Sequence, residues 1–479
     1  MKHKLSFIQL ILFTIIFTTI FSGWKISAQE KIIGIDEAIN MALQNNRDIL
    51  ISVMNVKKAG AAVDEAFGYA LPSVDLSGNF SHFIKKPMML FPDFQALLTN
   101  ATYSILFNEN VIPRNNSKFK PMYNILQSFS QSNNFSTGIT LTQTLFSSAV
   151  FKGIGASKIY YELARADLNS TVSKTVFSVQ KTFYGVLLSK KVFEITKQSF
   201  DNAMDNLDNV KALYKQGLVS EFDMLQAEVQ VENIRPVLLQ MENNLKTATD
   251  GLKIVLGINQ NEEIDVQGEF VYNVFDHSDE SDLINEALTE NFELKTLELK
   301  KQVDEAFIEL DVAGYWPTLA AFGQYTYAGS SEKWDFNTYS AATVGLSLSI
   351  NLWRGNRTKY AVEQSTITYQ QTEEQLNKLR DFTILNAKSK LLELKRVESL
   401  LDAQQRIVEV AQRAYEIAKV RYKEGAGSQI EIQNSDMALK QARLNLIQIT
   451  YNYIVAKFEL EQILGRTSSE YLNIFTEIE

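Results

Sequence analysis

The chain has 479 residues, 45% apolar and 22% charged, and its 47 Lys+Arg against 56 Asp+Glu leave a formal charge of −9. That balance argues against the basic face a nucleic-acid binder needs. The absence of cysteine excludes disulfides, thiolate catalysis, zinc ribbons and a lipidated N-terminal Cys, and three histidines leave little for a histidine metal centre or triad.

Lys2 and Lys4 precede an apolar run from Leu5 to Phe21, and Ile26-Ser27-Ala28 offers small residues for cleavage. This is the layout of a secretory signal peptide over residues 1–28, the run being short and polar-spotted for a membrane anchor. Cleavage removes Lys2, Lys4 and Lys25, so the mature balance is 44 − 56 = −12. Beyond residue 28 no apolar stretch reaches the length of a membrane-spanning helix.

The remainder is written twice. Tyr214-Lys-Gln-Gly217-Leu-Val-Ser220 returns 208 residues later as Tyr422-Lys-Glu-Gly425-Ala-Gly-Ser428, and the same offset carries Leu256-Gly257 onto Leu464-Gly465. Ala42-Leu43 and Leu71-Pro72 return at an offset of 245 as Ala287-Leu288 and Trp316-Pro317. The boundaries that follow are a first repeat over 29–257, a linker over 258–281, a second repeat over 282–465 and a tail over 466–479.

Within each copy a helical segment stops at Pro72 or Pro317, where a strand begins. Val74, Leu76 and Phe80 alternate with Ser73, Asp75, Ser77 and Asn79 over about 73–81. The return strand, about 135–147, sets Ile139, Leu141 and Leu145 against Thr140, Thr142 and Thr144. Strands at about 317–328 and 341–353 repeat the plan, with Val344, Leu346, Leu348 and Ile350 opposing Thr343, Ser347, Ser349 and Asn351. Period two with one apolar and one hydroxyl-rich face suits a half-buried soluble sheet or an outer-membrane strand; the signal peptide favours the membrane.

Proline is absent from 153–216 and from 355–423, and Ala387, Leu391, Leu394, Leu401, Val408, Ala411 and Ala418 recur at helical spacing. At 1.5 Å per residue such rods run on the order of 100 Å. Gly217 and Gly425 end them, Ser220 and Ser428 cap the return helices at about 220–256 and 428–464, and Pro236 is expected to kink the first. Four strands cannot close a membrane barrel, and an open sheet in lipid leaves backbone edges unpaired, so several chains must share one barrel.

This duplicated order, with its Tyr-x-x-Gly-x-x-Ser turn, resembles the TolC-like outer-membrane efflux proteins over essentially the whole mature chain. The resemblance implies a mainly α fold with a transmembrane β-barrel, in which a homotrimer contributes 12 strands and a helical tunnel in the periplasm. Its implied partners are a periplasmic adaptor protein, a proton-driven or ATP-driven inner-membrane transporter and outer-membrane lipid. The sequence itself carries no phosphate loop, nucleophile elbow or metal-ligand spacing, so no enzymatic role, cofactor or metal is expected. The implied function is the exit duct of a tripartite export system for small toxic compounds. A duct for polypeptide secretion, and less so a periplasmic coiled-coil scaffold, are the alternatives.

The resemblance also assigns residues. Glu431 and Asp223, each six after its turn glycine, and Asn434, where an acid would be expected, are pore-constriction candidates, with Tyr422 beside them. A solvated first-turn acid is the plain reading of the two carboxylates, and packing that of Tyr422. Gly427 replaces an arginine that in some members bridges to a neighbour. Gly217, Leu218, Val219, Ser220, Gly425, Ala426, Gly427 and Ser428 are the adaptor-contact candidates. Between the first two strands, residues 82–133 carry four of the seven prolines and many aromatics, the pattern of a folded extracellular loop or lid. His82 with Met88 and Met89 is a soft-ion donor set in composition only.

Overall fold

The computed structural model describes residues 31–271, 275 and 279–475; the expected signal peptide lies outside them, with parts of the linker and tail. In chain order the elements are β1 (Lys31–Ile33), α1 (Ile35–Asn45), α2 (Arg47–Gly68), β2 (Ser73–His82), β3 (Met89–Pro92), α3 (Phe94–Asn108), β4 (Asn124–Gln127), β5 (Asn133–Ser147), α4 (Ser148–Lys215) and α5 (Glu221–Leu256). There follow β6 (Ile264–Val266), α6 (Glu280–Glu290), α7 (Phe292–Val312), β7 (Thr318–Ser331), β8 (Asn337–Ser349), α8 (Arg357–Lys423), α9 (Gln429–Ile463) and α10 (Ser469–Asn473). Val63–Ala156 with Ala306–Ser365 form one compact unit, built on a sheet, and the rest of the described chain forms a helical one. Among the described residues no helix is long and apolar enough to cross a membrane.

The sheet is antiparallel throughout, in the order β2-β5-β7-β8, so the hairpins of the two repeats meet along β5 and β7. Its register puts Val74, Leu141, Gly323 and Val344 in one row and Leu76, Ile139, Tyr325 and Ala342 in the next. Directly paired residues share a face, so one side carries the apolar rows and the other carries Asp75, Thr140, Gln324 and Thr343. The apolar side is bare: Leu76 is 76% exposed and Val344 86%. Rings gather at both ends of these rows. Phe80 stacks on Trp334 at 5.7 Å and Phe135 meets Phe336 at 5.1 Å, while Trp316 and Trp353 stand exposed at the other end. An apolar band between aromatic rims is the signature of a lipid-facing sheet.

Three strand details depart from the periodicity. A bulge between Thr144 and Phe146 sets Leu145 outside the pairing and gives Phe146 the place opposite Leu319. Helix α4 then begins at Ser148, earlier than the expected 153, because the Ser147 hydroxyl accepts from the Val150 amide at 3.4 Å. Strand β8 stops at Ser349, not at 353, since its partner Thr318 follows Pro317, which has no N–H to extend the ladder.

Residues 82–133 are folded. Asp93 caps α3 through the Ala96 amide, β3 pairs with β4, and Phe107 sits between Tyr103 and Phe119 at 5.9 and 5.6 Å. Glu332, beyond β7, pairs with Lys86 and accepts from the Ser132 hydroxyl, fastening both ends of this insertion. His82 Nδ1 lies 2.7 Å from Asn133 Oδ1 and is already engaged.

In the helical unit α4 and α5 form one antiparallel hairpin and α8 and α9 the other; α4 and α8 have 68 and 67 residues. Leu168, Val172, Val179 and Phe183 of α4 pack with Leu252 and Leu256 of α5 and with Ile49 and Val56 of α2. The second copy repeats this with Leu391, Leu394 and Leu401 against Tyr453, Leu460 and Leu464. Pro236 does not break α5: it lies on the exposed face, where the carbonyl left without its donor is open to water.

Each repeat is fastened at its base by the same clamp. Asn46 Nδ2 donates to the Val255 carbonyl at 2.8 Å while Oδ1 accepts from the Asp48 and Ile49 amides at 2.9 and 3.2 Å. Asn291, 245 residues later, donates to Ile463 at 3.0 Å and accepts from Glu293 and Leu294 at 3.0 and 3.1 Å. Thus one amide caps one helix and holds the last turn of another. The glycine that follows takes a left-handed backbone, φ +72° at Gly257 and +70° at Gly465, and a Cβ there would collide with the Asn45 or Glu290 carbonyl.

Gly257→Ala meets both penalties, so a loss of at least about 2 kcal/mol of stability is expected. Thermal unfolding of the purified protein checks it; an unchanged midpoint would show that the clamp is not a structural requirement.

Candidate functional site at the hairpin tips

Both tips are built from the same hydrogen bonds. At the first, Gly217 N–H donates to Tyr214 at 2.9 Å and Leu218 N–H to Leu213 at 3.0 Å; at the second, Gly425 donates to Tyr422 at 3.1 Å and Ala426 to Arg421 at 2.8 Å. With φ of +70° and +73° at the glycines, these are paired Schellman turns. Ser220 and Ser428 cap α5 and α9 by accepting from the Asp223 and Glu431 amides at 3.2 and 3.3 Å.

The two equivalent acids then diverge. Asp223 Oδ2 turns back to accept from the Ser220 amide at 3.1 Å and its hydroxyl at 2.6 Å, closing a capping box. Glu431 instead reaches towards Arg421, with 3.9 Å between Oε2 and Nη2. The same Nη2 donates to the Ala426 carbonyl at 3.0 Å, which lays the guanidinium across the turn. A Cβ at Gly427 would sit 3.1 Å from both Arg421 Cβ and the Tyr422 nitrogen, so the missing side chain leaves room for this packing. The tip therefore has an arginine, supplied from the preceding helix and not from position 427.

Tyr422 packs against the apolar clusters of both hairpins, that of Leu207 and Val210 and that of Tyr415 and Ile432. Its hydroxyl is buried without a hydrogen-bond partner in the chain, and burial, then the nearby Asp223 carboxylate, push its pKa up. Val219 is half-buried here, whereas Leu218 is 66% exposed and Ala426 and Asn434 are open. Gln429, directly after the Ser428 cap, is buried with both amide atoms unbonded.

Behind the tip a groove of about 540 Å³ runs between Asn202, Asn206 and Asn209 of α4 and Tyr415, Lys419 and Tyr422 of α8. Buried Asp436 of α9 accepts from the Ser199 hydroxyl of α4 at 2.8 Å, tying the two hairpins together. Burial, with Asp436 and Asp205 adding repulsion, pushes the Tyr415 pKa up to about 12. Sequence periodicity did not single out Arg421, Gln429 or Asp436. At helical spacing the first reads as a solvated face, and the polar pair Ser199–Asp436 joins residues 237 apart. Among the described residues no group of three or more His, Asp or Glu is placed to hold a metal ion.

The chain matches the family model described as outer membrane efflux protein over residues 90–258 and 283–466. It is 22% identical over 346 residues to the outer membrane protein TolC of Vibrio cholerae serotype O1, a match covering 71% of this chain and 78% of that one. In fold it is similar to the Campylobacter jejuni CmeC outer membrane channel, with a TM-score of 0.71 at 14% identity over 93% of this chain and 89% of that one. The open state of the Neisseria gonorrhoeae MtrE outer membrane channel gives 0.67 at 12% identity, over 90% and 88%.

Proposed function

The chain belongs to the outer membrane efflux protein family, whose place is the outer membrane with a helical tunnel in the periplasm, and on that footing we propose that it is the exit duct of a tripartite exporter of small toxic compounds. The observation that carries the proposal is the four-stranded sheet with one bare apolar face, joined in sequence to two long helical hairpins with matching tips. Three copies supply the 12 strands of a closed barrel, and the hydroxyl-rich face lines its water. Energy comes from an inner-membrane transporter, reached through a periplasmic adaptor.

At the tip, Glu431 supplies one carboxylate per copy near the axis, a focused negative field that favours cations. Arg421 offsets part of it, and Asp223 contributes less because its oxygens are held by its own cap. The adaptor seats on the turns, where Leu218, Gly425 and Ala426 are exposed.

Crosslinking at native level, followed by pull-down and mass spectrometry, tests the duct. A trimer carrying an adaptor and a proton-driven pump is expected, and Ala426→Trp should keep the trimer while losing the adaptor. An ATP-driven partner would move the cargo towards polypeptides, and a soluble periplasmic monomer would overturn the reading. In planar bilayers Glu431→Gln should lower the cation preference measured as reversal potential; unchanged selectivity removes Glu431 from the pore.

A further inference from the structure

Between the end of β8 and the first turn of α8 lies a segment that the sheet does not use. Because the ladder stops at Ser349, Leu352 and Trp353 are released from pairing and stand 93% and 81% exposed. Arg354, Arg357 and Lys359 follow at once, and no acid occurs between Asp335 and Glu363. Among the described residues none of these three cations meets a carboxylate. Arg357 Nε donates to the Arg354 carbonyl at 3.1 Å, which fixes the guanidinium's stem and leaves its outer N–H groups open. A cavity of about 90 Å³ opens between these cations, Trp353 and Tyr315.

We infer that Leu352–Lys359 is an interfacial anchor that takes the headgroup phosphate of an anionic phospholipid from the periplasmic leaflet of the outer membrane. The inference rests on the family's outer-membrane placement. Arg357 and Lys359 lie in the first turn of α8, which on the proposed reading runs on into the periplasmic tunnel, so this end of the strands lies at that leaflet. Three features select lipid as the occupant. The anchor continues the bare apolar face of the sheet, whose last pair, Leu319 with Leu348, is one residue from the ladder's end. Trp353 and Trp316 supply the amphipathic rings that settle at the headgroup level. Uncompensated guanidinium and ammonium groups complement phosphate, and the arginines match its oxygens two at a time. Leu352 then sits among acyl chains, with the cations reaching outwards.

The test reconstitutes the full chain in phosphatidylcholine vesicles with and without phosphatidylglycerol as a minority component. Native mass spectrometry of the extracted protein reads retained lipid. Brominated acyl chains read Trp353, taken as the quenching lost in Trp353→Phe. Wild type should retain phosphatidylglycerol in preference to phosphatidylcholine, and the variant Arg354→Gln/Arg357→Gln/Lys359→Gln should retain at least about tenfold less. It should keep the thermal midpoint of wild type in pure phosphatidylcholine, which separates lost recognition from lost folding. Retention unchanged in the triple variant overturns the anchor, as does Trp353 unquenched because a neighbouring copy covers it. A rise in midpoint with inorganic phosphate equal to that with phosphatidylglycerol also overturns it, in favour of a free-anion site. A chain that floats with vesicles of neither composition overturns the barrel reading itself, a result distinct from the loss of lipid preference alone.

Discussion

The outer edges of β2 and β8 set the terms for the rest of the molecule. Among the described residues neither edge has a further strand to pair its outward backbone N–H and C=O groups, on a sheet whose apolar rows are exposed. In water such an edge can be hydrated, but in hydrocarbon each unpaired group costs several kcal/mol. On the proposed duct reading the sheet is completed by other copies, and closure among them removes both edges and gives the hydroxyl-rich face an aqueous interior.

Duplication supplies the matching parts. The Asn46 and Asn291 clamps, the Gly257 and Gly465 stops and the two Schellman turns recur with the same bonds, the clamps at an offset of 245 and the others at 208. These are positions where backbone geometry leaves little choice: an αL residue under a carbonyl, or an amide that must donate and accept at once. Where the copies differ, geometry was free to diverge. The first gained a folded insertion, and the acids of the two tips took different partners, one its own cap and the other an arginine across the turn.

Much of this was legible in the sequence. Period two marked the strands and their two faces, long proline-free stretches marked the hairpin arms, and Gly217, Gly425, Ser220 and Ser428 fell where turns and caps require them. Less legible were features decided by a distant partner. Pro317 ends β8 through Thr318, a residue paired across the sheet, so Leu352 and Trp353 read as strand although they lie beyond it. The bulge that substitutes Phe146 for Leu145 preserves an apolar pattern on either choice, and periodicity alone does not separate them. Pro236 shows the converse: a helix breaker is tolerated when the carbonyl it orphans faces water. Asn46 and Asn291 carry no local signal of their role, because it lies in contacts 209 and 172 residues away. Arg421 was hidden for a simpler reason, since the turn position itself holds Gly427 and the arginine comes from the helix before it.

Because the chain has no cysteine, the shared barrel can be probed directly. Single cysteines along β2 around Ser77, combined with others along β8 from Ala341 to Ser347, report which edges meet when the protein is oxidised in native outer membranes. The account predicts crosslinks only between chains, joining β2 of one copy to β8 of the next and collecting in a covalent trimer on denaturing gels. Crosslinks confined to one chain, or none at any register in membranes that hold the protein, would contradict it.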